Sequence, residues 1–246
     1  MASAMRQTIA SLYGRLIRSA RSRVLSPRVG SVDFGDLRRT TPVSSVFGFD
    51  RGTPIDRHYI EAFLSANAQL VRGRVLEIGD REYTTRFGGD AVISSDVLHF
   101  PPGSEQATIV ADLTHAPEIA DGSFDCIIIT QTLQFTYRMQ AMVSEIARIL
   151  APGGSILCTV PGISQISRYD MERWGDYWRL TDRSARELFE TAFRSRDIDV
   201  LTYGNVLSAT ASLHGLATSE LATAELDVND HDYQVIVAIR ATKDER

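Results

Sequence analysis

Polar residues suited to holding a small ligand follow several predicted strands. Glu77 and Gly79 end the first strand, Asp96 follows the second, Asp112 the third and Gln131 the fourth. In open α/β sheets, ligands bind beyond the carboxyl ends of the strands, where the strand order reverses. Carboxylates accept hydrogen bonds through two oxygens, and glycine permits close backbone approach. These positions predict a ligand site at one edge of a sheet.

Short apolar segments would position these residues. The predicted strands are Val75–Ile78, Ala91–Ser94, Thr108–Val110, Cys126–Thr130, Ser155–Val160, Ile198–Tyr203 and Tyr233–Ile239. Helical patterns cover Pro54–Leu70, Met139–Leu150 and Ser184–Ala192, and Ala151-Pro152-Gly153-Gly154 should end the second helix. Alternating strands and helices predict an α/β, doubly wound, mostly parallel sheet with helices on both faces. The last strand follows a long excursion, 204–230, and we expect it to be antiparallel.

Composition excludes several classes of protein. The 246 residues carry a formal charge of −5 and are 43% hydrophobic, which is typical of one globular domain and argues against a nucleic-acid binder. No apolar run could span a bilayer, and no metal-ligand motif is visible. The two cysteines, Cys126 and Cys158, fall in predicted buried strands and should be core residues. We expect a cytoplasmic protein.

The first 53 residues form a predicted extension to a domain spanning 54–246. Ile9, Leu12, Leu16 and Ile17 recur at helical spacing, and Met1–Val32 contains six arginines but no acid. Such a basic amphipathic helix could bind peripherally to an anionic membrane or dock a partner. Alternatively, it packs on its own domain with its arginines in solvent.

The strand-end signals resemble those of class I methyltransferases, particularly the type 11 small-molecule branch. The resemblance covers roughly residues 74–160. It depends on the strand-end residues above, on Gly122-Ser123-Phe124-Asp125 and on Leu150-Ala151-Pro152-Gly153-Gly154. It implies a Rossmann-like seven-stranded sheet and S-adenosylmethionine as cofactor.

The resemblance also implies roles for individual residues. Glu77 and Gly79 match the turn beside the methionine part of the cofactor, and Asp96 matches the acid that binds both ribose hydroxyls. Asp112 matches the position beside the adenine amino group, and Leu113 borders the ring. Gln131 lies where the fourth strand opens beside the methionine end.

Two departures from the family pattern affect this assignment. Arg81 and Tyr83 occupy positions where the first motif usually has glycines, so the turn could narrow the cofactor pocket. Gln134 stands about where many relatives place a histidine, and glutamine cannot act as a base. The sequence contains five histidines: His58, His99, His115, His214 and His231. None is singled out as a catalytic base, and the catalytic residues stay unknown.

An aromatic segment follows the fifth predicted strand, within a lid-like stretch, 161–183. We assign acceptor binding there to Tyr169, Trp174, Tyr177, Trp178 and Arg179, because aromatic faces beside hydrogen-bonding charges suit a sugar. The segment also resembles one in methyltransferases encoded with glycosyltransferases. Alternatively, the aromatic residues only anchor the lid.

The leading hypothesis is an O-methyltransferase whose small-molecule acceptor is a sugar or glycan precursor. A second hypothesis keeps the cofactor but replaces the acceptor with an amine, a carboxylate or an aromatic hydroxyl. A third is a non-catalytic accessory subunit of a glycosyltransferase system. Retained acids at positions 96 and 112 argue against the third hypothesis, since a protein without cofactor needs neither.

Overall fold

A computed structural model describes residues 26–245, which group into two compact units that divide between Thr40 and Thr41. The helix predicted within the first 25 residues lies outside the described residues. In the first unit, a 3-10 turn spans Gly35–Leu37, and the Asp33 carboxylate accepts a hydrogen bond from the Gly35 N–H at 2.9 Å. Residues 41–53, which we assigned to the extension, group with the second unit.

The second unit contains one seven-stranded sheet. In chain order its strands are β1 (Gly73–Ile78), β2 (Val92–His99), β3 (Ile109–Val110), β4 (Phe124–Thr130), β5 (Leu150–Pro161), β6 (Ile198–Tyr203) and β7 (Ile236–Thr242). Their spatial order is β3-β2-β1-β4-β5-β7-β6. The first five strands pair in parallel, and β7 runs antiparallel to both neighbours. The predicted α/β fold class and the antiparallel last strand are confirmed.

Helices cover both faces of the sheet. They are α1 (Ile55–Ala66), α2 (Glu82–Gly88), α3 (Met139–Ile149), α4 (Arg168–Arg173), α5 (Asp182–Phe189), α6 (Val206–Leu213) and α7 (Thr223–Leu226). The apolar residues of α1 recur at intervals of three and four, so they share one face and pack with α6 and α7 in one core. The apolar face of α3 packs with α5 in the other core. Strand β4 contributes to both cores, with Ile127 in one and Ile128 in the other.

Several element boundaries differ from the sequence prediction. Strand β2 continues to His99 instead of ending at Ser94, which matters for the site. Strand β5 begins at Leu150, and the Pro-Gly-Gly sequence lies within it because the register shifts between its pairs with Phe124 and Cys126. The short helix α2, which follows β1, is an element that we did not predict.

The excursion between β6 and β7 contains two short helices, α6 and α7. Within residues 26–245, no helix is long and apolar enough to cross a membrane. The same residues contain no group of three or more potential metal ligands among their His, Cys, Asp and Glu side chains.

Candidate functional site

A cavity of about 580 Å³ opens at the carboxyl ends of the parallel strands. Its volume lies within the usual range for sites that bind small molecules. The turn after β1, the end of β2 and the segment after β3 form one wall. The region after β4 and the end of α4 form the other. The cavity therefore lies where the strand order of an open α/β sheet reverses, between β1 and β4.

Gly79 lies in the wall of this cavity and leaves space open there. Its φ is +93°, a conformation that residues with a side chain rarely adopt. A Cβ placed at this position would meet no atom within 4 Å, so the glycine leaves free space in the wall. Its N–H donates a hydrogen bond to the Leu98 carbonyl at 3.0 Å, which joins the turn to the end of β2.

Glu77 faces helix α2 and stands outside the cavity wall. Its side chain is buried, and its two oxygens accept hydrogen bonds from the Tyr83 N–H (3.1 Å), the Thr84 N–H (2.7 Å) and the Thr84 hydroxyl (2.7 Å). These N–H groups belong to the first turn of α2, which has no intrahelical partners for them. Burial raises the pKa of Glu77 even though the Thr84 and Tyr83 hydrogen bonds favour its charged form. Glu77 therefore fixes the helix that follows the glycine turn.

Asp96 lies inside β2, three residues before the strand ends. It pairs with Leu76 in the sheet register, and its side chain is held at both oxygens. The Arg74 guanidinium donates to one oxygen at 3.0 Å, and the Thr108 hydroxyl donates to the other at 2.9 Å. The predicted placement of Asp96 at the end of the second strand is therefore wrong, because that strand extends to His99. Asp96 is also outside the described cavity wall.

His99 occupies the end of β2 and lines the cavity. Its Nδ1 lies 2.9 Å from the Pro101 carbonyl oxygen. The ring packs edge-to-face with Trp174, with centroids 6.4 Å apart. Among residues 26–245, His99 is the one histidine in the cavity wall.

Two of the three residues predicted near the third and fourth strands line the cavity, and one does not. Asp112 and Leu113 both line the cavity, and Asp112 also accepts a hydrogen bond from the Thr114 N–H at 2.8 Å. Gln131 stands outside the described wall, although its φ of +48° is unusual for a residue with a side chain. Its N–H donates to the Thr159 carbonyl at 2.9 Å, and its neighbour Thr132 lines the cavity instead.

The aromatic segment after β5 contributes two of its five predicted residues to the cavity, Trp174 and Tyr177. Tyr169 is exposed and packs against the ring of Trp174 at 6.2 Å. Trp178 packs on the core, and its ring lies tilted against that of Tyr137, which lines the cavity, with centroids 5.6 Å apart. Tyr177 is bound to the region after β4, since its N–H donates to the Gln134 carbonyl at 3.0 Å.

Arg179 holds the lid-like stretch together. Its guanidinium donates to both oxygens of Asp176, at 2.5 and 2.9 Å, and to the carbonyls of Gln165 (2.6 Å) and Trp178 (2.8 Å). Burial alone would raise the pKa of Asp176, but the hydrogen bonds from Arg179 and from the Ser167 N–H outweigh it, and the pKa is lowered. The donors of Arg179 are therefore engaged within the chain, and the residue stands outside the described cavity wall.

The unusual residues of the first motif do not close the cavity. Arg81 is exposed at the start of α2, and Tyr83 packs near Phe87 in the core on the α1 side. Gln134 is buried and also stands outside the cavity wall that the structure describes.

Several residues that line the cavity were not among the predicted site residues. They come from the residues directly after β2, from the segment between β4 and α3, from α3 and from the end of α4: Phe100, Pro101, Phe135, Thr136, Tyr137, Arg138, Met142 and Arg173. The closely spaced Phe135 and Tyr137, directly after a predicted buried strand, were the available signal.

Comparisons with known proteins agree with this architecture. A protein-family profile described as "Methyltransferase domain" matches residues 102–158. The structure is similar to that of an S-adenosylmethionine-dependent methyltransferase from Archaeoglobus fulgidus, with a TM-score of 0.51 and 14% identity over 76% of this chain and 94% of that one. It is also similar to the cyclase SpnF, with a TM-score of 0.50 and 18% identity over 79% of this chain and 83% of that one. No curated protein matches in sequence. The profile match shows a methyltransferase-type segment at residues 102–158, and the structural similarities show that the chain shares its Rossmann-like fold with these proteins.

Proposed function

We propose that this protein transfers the methyl group of S-adenosylmethionine to a hydroxyl of a sugar or glycan precursor. The observation that carries the proposal is a single cavity with two chemically different walls. One wall contains the glycine turn and Asp112, and the other contains Trp174 and Tyr177.

The first wall fits the cofactor. Gly79 offers free space where a Cβ would stand, so the methionine part can lie directly against the backbone. Asp112 can accept a hydrogen bond from the adenine amino group, and the buried Leu113 offers an apolar surface to the ring.

The second wall suits a sugar acceptor. Trp174 and Tyr177 present aromatic surface, on which the C–H faces of a sugar can stack. Thr132, Thr136 and Tyr177 line the same cavity, and each carries a hydroxyl that can form a hydrogen bond with a sugar hydroxyl.

Transfer to a sugar hydroxyl forms a C–O bond, breaks the sulfonium–methyl bond and releases the hydroxyl proton, which passes to solvent because no side chain is assigned as a base. S-adenosylmethionine supplies a methyl group that its sulfonium already activates for in-line displacement. The contribution of this chain is to hold the acceptor oxygen in line and to exclude water. The Arg179–Asp176 pair keeps the lid-like stretch folded beside the cavity, which supports both tasks.

The test is a methyl-transfer assay with radiolabelled S-adenosylmethionine and panels of sugars, amines and carboxylic acids. We expect labelled sugar. We also expect Tyr177→Ala to raise the KM for the sugar and to leave affinity for S-adenosylhomocysteine within about twofold. Tyr177→Phe, which keeps the ring, is the matched control. Tyr177 suits this test better than Trp174, because the Trp174 ring also contacts His99 at the end of β2. Replacing Trp174 would therefore disturb both walls of the cavity.

The other outcomes identify the alternatives. Label in an amine or a carboxylic acid would replace the sugar with that acceptor. Tight binding of S-adenosylhomocysteine without transfer to any acceptor would count against the proposed activity and favour the accessory-subunit hypothesis.

A further inference from the structure

We infer that His99, and not Asp96, is the residue that hydrogen-bonds the ribose of the cofactor. The inference rests on the proposed function. It concerns a position where the sequence pattern indicated an acid and the structure presents an imidazole.

The position of His99 is the first argument. In doubly wound folds, the residue that contacts the ribose lies at the end of the second strand, about 20 residues beyond the glycine turn. Strand β2 ends at His99, which is 20 residues beyond Gly79. The hydrogen bond from the Gly79 N–H to the Leu98 carbonyl places the glycine turn directly beside the end of β2.

The hydrogen-bond partner of Nδ1 is the second argument. The Pro101 carbonyl beside Nδ1 can only accept a hydrogen bond, so Nδ1 carries the hydrogen. In the neutral ring, Nε2 is then a free acceptor. A ribose hydroxyl can donate to that nitrogen, as it would to a carboxylate. The Pro101 contact and the edge of Trp174 fix the orientation of the ring.

The engagement of Asp96 is the third argument. One of its oxygens already accepts a hydrogen bond from Arg74, which lies in β1. The other accepts a hydrogen bond from Thr108, the residue directly before β3. These contacts attach β2 to the strands on both sides of it. Asp96 therefore has a structural role in the sheet that is independent of any ligand.

Calorimetric titration with S-adenosylhomocysteine tests the inference, because this ligand binds without an acceptor. Because one neutral hydrogen bond is lost, His99→Ala should weaken binding about two- to twelvefold, which corresponds to roughly 0.5–1.5 kcal/mol. His99→Gln keeps an acceptor atom and should recover part of the loss. His231→Ala is the matched control, since His231 is exposed and lies outside the described cavity wall.

An analogue that lacks both ribose hydroxyls separates a ribose contact from general damage to the site. His99→Ala and wild-type protein should bind 5′-methylthio-2′,3′-dideoxyadenosine equally, whereas they should differ for 5′-methylthioadenosine. Equal loss with both ligands would overturn the inference.

The competing residue assignment has its own result. If Asp96→Asn weakens S-adenosylhomocysteine binding tenfold in folded protein and His99→Ala does not, the inference fails but the proposed cofactor stands. If folded wild-type protein does not bind S-adenosylhomocysteine at all, the proposed function fails and the inference fails with it. A purely catalytic role of His99 as a base would also leave binding of this ligand unchanged, which would contradict the inference.

Discussion

Replacing Arg179 with lysine tests whether this residue stabilises the fold of the lid-like stretch or serves to bind the substrate. The side chain of Asp176 is 2% exposed, and Arg179 donates to both of its oxygens. Lysine keeps the charge but presents a single nitrogen, so it cannot reproduce the two-pronged contact or reach the Gln165 and Trp178 carbonyls at the same time.

The expected loss follows from these contacts. Breaking a buried ion pair outright costs about 3–5 kcal/mol. Lysine retains one contact, and the Arg179 side chain is 26% exposed, so we expect about 2 kcal/mol. For a chain of this size, that corresponds to a decrease in Tm of roughly 4–8 °C. Arg183→Lys is the matched control, because Arg183 and Glu187 form an exposed helical pair that contributes less than about 0.5 kcal/mol.

The pH dependence sharpens the test. Because the pKa of Asp176 is lowered on folding, its contribution to stability is present above the unfolded value of about 3.8 and disappears as the pH falls below it. Urea unfolding should therefore show a gap between wild type and Arg179→Lys at pH 7 that narrows below about pH 4. Equal stability of the two proteins at pH 7 would refute the structural role of Arg179 and return it to the substrate-binding residues.

Three further predictions concern buried groups and the glycine turn. Glu77→Ala leaves the Thr84 and Tyr83 donors without partners and should lower the free energy of unfolding by about 3 kcal/mol. Burial raises the pKa of Glu77, so wild-type protein should lose part of this stability as the pH rises through that pKa. In urea unfolding, the difference in free energy of unfolding between wild type and Glu77→Ala should therefore narrow from pH 4 to pH 7, and a difference that widens would contradict the raised pKa. Gly79→Ala adds a methyl group at φ +93° beside the cavity, so it should lower the free energy of unfolding by roughly 1–2 kcal/mol. It should also weaken the affinity for S-adenosylhomocysteine measured by calorimetry, and an unchanged affinity would mean that the ligand binds elsewhere. Burial raises the pKa of Cys126 and Cys158 to about 12, so a thiol reagent at pH 8 should label neither in folded protein and both in urea, and rapid labelling of the folded protein would contradict their burial.

The fold could be predicted because local patterns and global architecture agree. The strands at residues 75–78 and 126–130 are short apolar segments followed by polar turns, and they became the central strands β1 and β4. Strand β2 was predicted too short. Ser94, Ser95 and Asp96 are polar, so the hydrophobic pattern ends early, whereas parallel pairing with β1 continues to Leu98.

The site was less predictable than the fold, because side-chain partners from distant parts of the chain decide which groups remain available. Glu77 and Asp112 both carry carboxylates near strand ends, but only Asp112 lines the cavity. Glu77 is taken by the first turn of α2, a helix that the sequence pattern did not indicate. Similarly, no local signal shows that Arg179 contacts backbone carbonyls as far back as residue 164.

The position of β7 affects the order in which the molecule can complete its folding during synthesis. Of the seven strands of this sheet, β7 is the last to be translated, yet it lies between β5 and β6 and is hydrogen-bonded to both. Until residues 236–242 leave the ribosome, β5 has an open edge next to the buried Ile156, Leu157 and Val160. Unpaired apolar edges can pair with other chains, and pairing over a long sequence separation is slow. The nascent protein therefore passes through a stage in which most of its sheet can form while one interior edge is still open to aggregation or chaperone binding.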